Sequence, residues 1–371
     1  MNSGRHTSYA CQIYPVSLKP FCRFRRILLG ANEGSHMHLE VRQRDAARNH
    51  ATSDKDQVGI DAHQKAKFTN PDRTAKGEIR ARVPFSRYET IWFNTGTLCN
   101  ISCVDCYIES SPRNDRLAYI TRVEVKSYLD EAKSLPHRPA EIGFTGGEPF
   151  LNPDFISMLE DTLHAGFRVT ILTNAMKPMQ LKKLQLLELQ QRYPDRMHMR
   201  VSLDHFESDS HEKIRGANTW LPAISGLSWL SDNGFDLAVA GRLVWRASEL
   251  EIRAGYRMLF ASLGVGIDCD DPARLVLFPE IRADDDVPEI SEGCWSILGK
   301  SPSDLMCSNS RMVVKRKGAT EPVAVACTLL PYAHAFEMGR TLVQAQASVR
   351  LNHSYCARFC VLGGASCSGQ K

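Results

Sequence analysis

Nowhere in the 371 residues does an apolar run approach the roughly 18 needed to cross a bilayer, so neither a helical membrane span nor a membrane partner is expected. An export signal is missing too. Arg23, Arg25 and Arg26 precede only Ile27-Leu28-Leu29, too short for the apolar centre of a secretory signal, so the expected location is the cytoplasm. There is no clustered basic stripe of the kind that tracks a phosphate backbone. The formal charge of +4 is concentrated at one end, with 16 Lys/Arg against 8 Asp/Glu in residues 1–88 and 30 against 34 in the remainder. Nucleic acid is therefore not an expected partner.

Sustained hydrophobic periodicity is also absent from residues 1–88, where stretches such as Arg42–Asp61 are rich in Arg, Asn, Asp, Gln and His. A disordered or extended N-terminal segment is expected there. Met37 offers an internal start, in which case residues 1–36 are an upstream extension of the reading frame and Cys11 and Cys22 have no role. The competing reading is a docking arm.

What the sequence has is cysteine, 12 in all. In a chain expected to keep its thiols reduced, clustered cysteines are metal ligands before they are disulfides. Cys99, Cys103 and Cys106 stand at spacings of four and three after the short hydrophobic segment Thr90–Phe93. A compact trio can hold an iron–sulfur cubane with one iron free, or a zinc ion completed by a distant Cys or His. Forty residues on, Glu141-Ile-Gly-Phe-Thr runs into Gly146-Gly147-Glu148-Pro149. Two glycines let backbone approach a ligand closely, and a neighbouring carboxylate can accept from an ammonium group.

The rest of the middle of the chain alternates strand and helix. Strands are expected at Glu89–Asn94, Glu141–Thr145, Arg168–Leu172, Met197–Leu203, Asp236–Trp245 and Arg274–Phe278. Helices fall between them at Val123–Ser134, Asp154–Ala165, Leu181–Arg192, Leu221–Asn233 and Glu249–Leu263. Serial βα units imply parallel strands with right-handed crossovers, either closing toward a barrel or forming an open doubly wound sheet. The polar motifs sit at strand C-termini, where α/β barrels build their sites. Trp92 and Phe93 read as strand packing rather than cofactor contacts.

The cysteine trio and the Gly-Gly-Glu-Pro strand end together resemble the radical S-adenosylmethionine (radical SAM) superfamily. The resemblance implies a partial (β/α)6 TIM-type barrel, α/β in class, spanning residues 89–283. It implies that Cys99, Cys103 and Cys106 hold a [4Fe-4S] cluster whose fourth iron chelates S-adenosylmethionine, with Gly146, Gly147 and Glu148 meeting the ammonium. The activity implied is reductive cleavage to a 5′-deoxyadenosyl radical that abstracts hydrogen, with a flavodoxin or ferredoxin as electron donor. The residue before the third cysteine, usually aromatic in the superfamily, is Asp105 here, and Tyr107 is the substitute candidate for adenine contact. Val-Ser202-Leu-Asp204 and His211-Glu-Lys-Ile-Arg215-Gly resemble the superfamily's ribose strand and the segment after it. Ser202 is assigned to ribose, Asp204 to the substrate side and Arg215 to positioning, against the plain alternatives of an Asp204 N-cap and a surface Arg215 ion pair. Asn174, closing Leu-Thr-Asn, is a further cofactor candidate beside its ordinary role as a turn residue.

After Asp284-Asp-Asp-Val-Pro288 come Cys294, Cys307, Cys327, Cys356, Cys360 and Cys367. Arg311–Lys315 and Pro322–Ala326 read as a hairpin that Cys307 and Cys327 flank. The layout resembles, in part, the SPASM and twitch extensions of radical SAM enzymes. It implies a small cysteine-rich C-terminal domain, residues 284–371, whose six cysteines are candidate metal ligands for one auxiliary iron–sulfur cluster, with Cys294 as a substitute for a hairpin ligand, or for two such clusters; a structural zinc site with His353 is the alternative. Two substrate classes remain open from sequence: a peptide or protein, and a small molecule in cofactor biosynthesis. A non-catalytic zinc or iron–sulfur binding protein is the reading from another class, and it leaves Gly-Gly-Glu-Pro without a purpose.

Overall fold

The computed structural model describes residues 67–244, 247–279 and 286–363. Cys11, Cys22, Cys367, Trp245 and most of the expected N-terminal segment lie outside the described residues.

The strands are β1 (Arg82–Val83), β2 (Thr90–Asn94), β3 (Glu141–Thr145), β4 (Arg168–Thr173), β5 (Met197–Ser202) and β6 (Asp236–Leu243), then β7 (Leu275–Pro279), β8 (Ser310–Val314), β9 (Val323–Val325), β10 (Glu337–Gly339) and β11 (Val349–Arg350). From β2 to β7 they lie side by side in chain order and all parallel. A doubly wound sheet would reverse its strand order at a switch point, so this monotonic order is that of a partial barrel. Every residue of β2 is buried, as expected for a strand covered on both faces.

Local chemistry sets the helix ends. Helix Arg122–Ser134 begins at a capping box of Thr121 and Glu124, and helix Glu249–Leu263 at one of Ser248 and Glu251. The latter stops at Gly264, whose φ of +69° suits a left-handed cap. One large core packs helices against the outside of the sheet, with Phe93 between Tyr128 and Phe144. Trp92, one residue earlier and so on the opposite face, packs inward with Leu117, Met312, Val314 and Val325.

Two regions differ from the sequence reading. The hairpin of β8 and β9 is not set apart from the barrel: β8 runs parallel to β2 and extends the same sheet, which continues antiparallel through β9 and β10. An apolar run shows that a segment is a strand but not which neighbour it pairs with, and the open edge of β2 would otherwise be left unpaired. Residues 67–88, grouped by sequence with the loose N-terminal segment, are built into the C-terminal region. Pairing of β1 with β11 and of Ala81 with Ile290 buries Ala81 and Val83 in a second core with Leu305, Ala326, Leu351 and Phe359. That short stretch carries too few residues to show a period, and its partners lie some 270 residues away in sequence, as in the 271-residue separation of Arg80 from Leu351.

Candidate functional site

The C-terminal ends of β2 to β6 open onto one cavity, lined by Cys99, Cys103 and Cys106 together with Gly146, Gly147, Asn174, Ser202, Asp204 and Arg215. Its rim is completed by Tyr107, next to the third cysteine, and by Thr328, Leu329 and Phe359 from the C-terminal region. Nearly every cofactor candidate read from sequence is therefore on one surface. Glu148 is the one that does not line it.

The cysteine loop is anchored at both ends and in the middle. Cys99 N donates to Ser111 O at 3.1 Å, Val104 N to Ile214 O at 2.7 Å, and Glu109 N to Cys106 O at 2.8 Å. Arg242 Nη1 also donates to Val104 O at 3.2 Å, tying the loop to β6. Asp105 turns the chain with a φ of +53°, a left-handed conformation that Asp adopts more readily than most residues.

The Gly-Gly-Glu turn clamps onto that loop. Gly147 N donates to Gly96 O at 2.8 Å and Glu148 N to Leu98 O at 3.1 Å. A Cβ on Gly147 would sit 2.1 Å from Leu98 O, and one on Gly146 2.6 Å from Gly96 O. Close approach to the loop backbone thus requires both glycines. Glu148, expected at an ammonium, instead has its carboxylate engaged by protein donors: Thr173 Oγ1 at 2.9 Å, Asn174 N at 2.9 Å and Phe150 N at 3.3 Å. Being only 1% exposed, it is pushed by burial up to about 7, against the pull of those donors. It joins the end of β3 to the end of β4. Asn174, oriented by this contact, donates from Nδ2 to Asn100 Oδ1 at 2.9 Å beside Cys99.

Asp204 and Arg215 are neither a cap nor a surface pair. The N-cap of helix Ser208–Arg215 is Glu207, and Arg215 Nε meets Asp204 Oδ2 at 2.8 Å, with Asp204 buried and the Arg215 side chain 12% exposed. Arg242 Nε stands 3.3 Å from Asp204 Oδ1. Burial pushes the Asp204 carboxyl up, but the Arg215 and Arg242 guanidiniums outweigh it and hold it below the usual range. Two cations against one carboxylate leave positive charge facing the thiols. Burial pushes Cys99 up to about 12 and Cys103 up as well, the latter opposed by Arg215. Bare thiols here are protonated at neutral pH, so metal loading releases protons and gives the cationic pair an anion to face.

Sequence reasoning missed Arg200, Arg242, Ser110 and Thr328, all lining the cavity. Arg200 was legible, being two residues before Ser202 and so on the same face of β5. The others come from strand ends and loops with no motif. The side-chain polar atoms Trp92 Nε1, Ser110 Oγ and Thr328 Oγ1 are buried without a protein hydrogen-bond partner, though they line a cavity. Unsatisfied polar groups around such a space fit a polar ligand within it. Three thiols, two small residues and these orphaned donors suit a cluster with an organic ligand on its open side.

A second cavity lies directly behind. Cys307, Cys327, Cys356 and Cys360 line it with apolar neighbours including Leu330, Phe336 and Leu351. Cys294 does not; its Sγ lies 3.4 Å from Ser291 N, at the edge of the same core. Burial pushes Cys307 up to about 11 and Cys356 up to about 12, with the other thiol's charge adding to the latter. Among the described residues no three His, Cys, Asp or Glu side chains stand at single-ion spacing, so both cysteine sets surround wider spaces. Leu329 lines both cavities, and Cys327 and Thr328, adjacent in sequence, face one each.

Residues 93–244 match the radical SAM superfamily. The chain is similar to the antilisterial bacteriocin subtilosin biosynthesis protein AlbA of Bacillus subtilis, at 30% identity over 143 residues, 38% of this chain and 30% of that protein. It is similar to the mycofactocin maturase MftC of Mycolicibacterium smegmatis at 27% identity over 150 residues, 40% of this chain and 36% of that one. It thus spans about a third of the length of these curated relatives. The fold is that of AdoMet-bound anSMEcpe, with a TM-score of 0.50 at 14% identity over 69% of this chain and 76% of the other. Parallel strand order, a three-thiol loop at the end of β2 and the Gly-Gly-Glu clamp at the end of β3 agree with these likenesses, and the match to the radical SAM superfamily covers residues 93–244, the part of the chain that builds the first cavity.

Proposed function

We propose that the protein is a radical SAM enzyme that modifies a peptide or protein. The observation that carries the reading is the convergence of Cys99, Cys103 and Cys106 on one cavity with Gly146, Gly147, Asn174, Ser202 and the Asp204–Arg215 pair. Cys99, Cys103 and Cys106 would hold a [4Fe-4S] cluster, and the glycine turn, Tyr107 and Ser202 the S-adenosylmethionine bound to it. Together the bound cluster and S-adenosylmethionine would supply reductive S–C bond cleavage and hydrogen abstraction. The chain's own part is to bind, orient and exclude water: Asn174 and Asn100 fix the loop beside Cys99, Asp204 fixes Arg215, and Leu329 and Phe359 cover the cavity with apolar surface. A flavodoxin or ferredoxin is the proposed reductant. The peptide reading is supported by similarity to a protein named for biosynthesis of a bacteriocin, a polypeptide product.

Anaerobically reconstituted, reduced protein should convert S-adenosylmethionine to 5′-deoxyadenosine, and Cys103→Ala should abolish it. Undiminished turnover in that variant would reject the assignment. A mass change in a short peptide encoded beside the gene tests the substrate class.

For the second cavity, Cys307, Cys327, Cys356 and Cys360 would hold one auxiliary [4Fe-4S] cluster with every iron bound by a thiolate, leaving Cys294 and Cys367 unneeded. A variant lacking Cys99, Cys103 and Cys106 should then retain about four iron atoms with sulfide. Zinc without sulfide would reject the auxiliary cluster and leave the first site untouched.

A further inference from the structure

Arg311, on β8, is 0% exposed. Its guanidinium donates only to main-chain carbonyls: Nε to Ala345 O at 2.7 Å, Nη1 to Cys307 O at 2.6 Å and Ser310 O at 2.7 Å, Nη2 to Ala347 O at 3.0 Å. The ring of Phe85 lies 4.8 Å from its Cζ. Among the described residues no carboxylate pairs with it, whereas the other fully buried arginine, Arg80, has Glu289. A guanidinium stays charged in a protein, and a buried charge without a counter-ion costs several kcal/mol even when its hydrogen bonds are filled. The neighbouring buried positions of the same strand, Met312, Val313 and Val314, carry apolar side chains.

The ionisable groups that interact electrostatically with Arg311 are the thiols of Cys307 and Cys327 and the phenol of Tyr88, neutral while protonated and none of them a carboxylate. Cys307 and Cys327 are two of the four cysteines around the second cavity, and Nη1 holds the carbonyl of Cys307 itself. Four thiolates around an oxidised cubane carry a net charge of about −2, and one more electron makes it about −3. A fixed cation hydrogen-bonded behind Cys307 is worth more the more negative the cluster becomes.

We infer that Arg311 is the counter-charge of the auxiliary cluster, held in place by four carbonyls so that it favours cluster loading and the reduced state of that cluster. This rests on the auxiliary-cluster reading above. Arg311 touches neither substrate nor the first cavity, and its role is to set the charge of its surroundings.

The test uses reconstituted full-length protein, with Arg311→Met, Arg311→Gln and Arg311→Lys. The auxiliary cluster is followed as the electron paramagnetic resonance signal that S-adenosylmethionine does not perturb. At a fixed potential the two neutral variants should show a reduced-to-oxidised ratio at least tenfold lower than the parent, about 59 mV for one electron, while Lys stays near the parent. If the neutral variants fail to load iron and sulfide while Lys loads, that also supports the inference. An unchanged ratio in the neutral variants, an equal fall in Lys, or loss of the cluster in all three overturns it, since geometry rather than charge would then be what matters. Iron content of the variant lacking Cys99, Cys103 and Cys106, with Arg311 intact, decides separately whether the auxiliary cluster exists.

Discussion

His211 shows how a single buried side chain reports on its surroundings. It is 0% exposed, packs against Trp220 with ring centroids 5.4 Å apart, and neither ring nitrogen finds a hydrogen-bond partner among the described residues. Burial, reinforced by Arg215, lowers it to about 4. Since the folded pKa lies below the unfolded value, the unfolded chain takes up a proton between those values and the folded one does not, so stability falls as pH drops from about 6.5 toward 4. Between pH 7.5 and pH 5 this group should cost about 2 kcal/mol, and urea unfolding of His211→Leu should show that much less pH dependence than the parent. An unaltered pH dependence would mean that the ring is hydrated or paired. At Gly147 the expected effect is steric. Gly147→Ala drives a Cβ into Leu98 O, a backbone atom that cannot swing aside, and apoprotein stability should fall by about 3 kcal/mol in thermal unfolding.

At the scale of elements, Glu148 ties the end of β3 to that of β4, and the sequence could not show it. Gly-Gly-Glu-Pro was legible as a cofactor turn because its residue types are distinctive; the direction of one carboxylate depends on Thr173 and Asn174, 25 and 26 residues on. Glu148→Gln puts an amide donor against groups that are themselves donors, so the apoprotein should lose about 1 to 3 kcal/mol. Weaker S-adenosylmethionine binding with no loss of apoprotein stability would instead put the carboxylate at the ammonium. Strand and helix positions from β2 to β7 were readable because each element carries a full period of burial, and the cysteine trio because its spacing is a chemical requirement. Pairing partners were not. β8 looks like any apolar hairpin strand, and nothing in Ser310–Val314 names β2 as its neighbour.

For the whole molecule, the expected boundary at residue 88 gives way to a C-terminal region completed by residues 67–88. Arg80 donates to Leu351 O at 3.2 Å and pairs with Glu289, while Ala81 and Val83 enter the core that surrounds the four-cysteine cavity. A chain beginning at Pro84 should therefore lose auxiliary iron and sulfide while keeping the cluster of Cys99, Cys103 and Cys106. Retention of both, counted by iron analysis, would show that the pairing of β1 with β11 is dispensable.

That same pairing sets an order of events during synthesis. Arg82 and Val83 leave the ribosome early and must wait for Val349 and Arg350, and β2 must wait for β8, before their edges are closed. Long-range pairing of this kind is slow to form. Until the last segment arrives, the early strand edges and the loop with Cys99, Cys103 and Cys106 stand open to anything that binds strands or thiols. The two proposed ligand sets are therefore made at different times, Cys99, Cys103 and Cys106 preceding Cys307, Cys327, Cys356 and Cys360 in the chain. A cluster carrier acting on the nascent chain would meet the proposed first site alone.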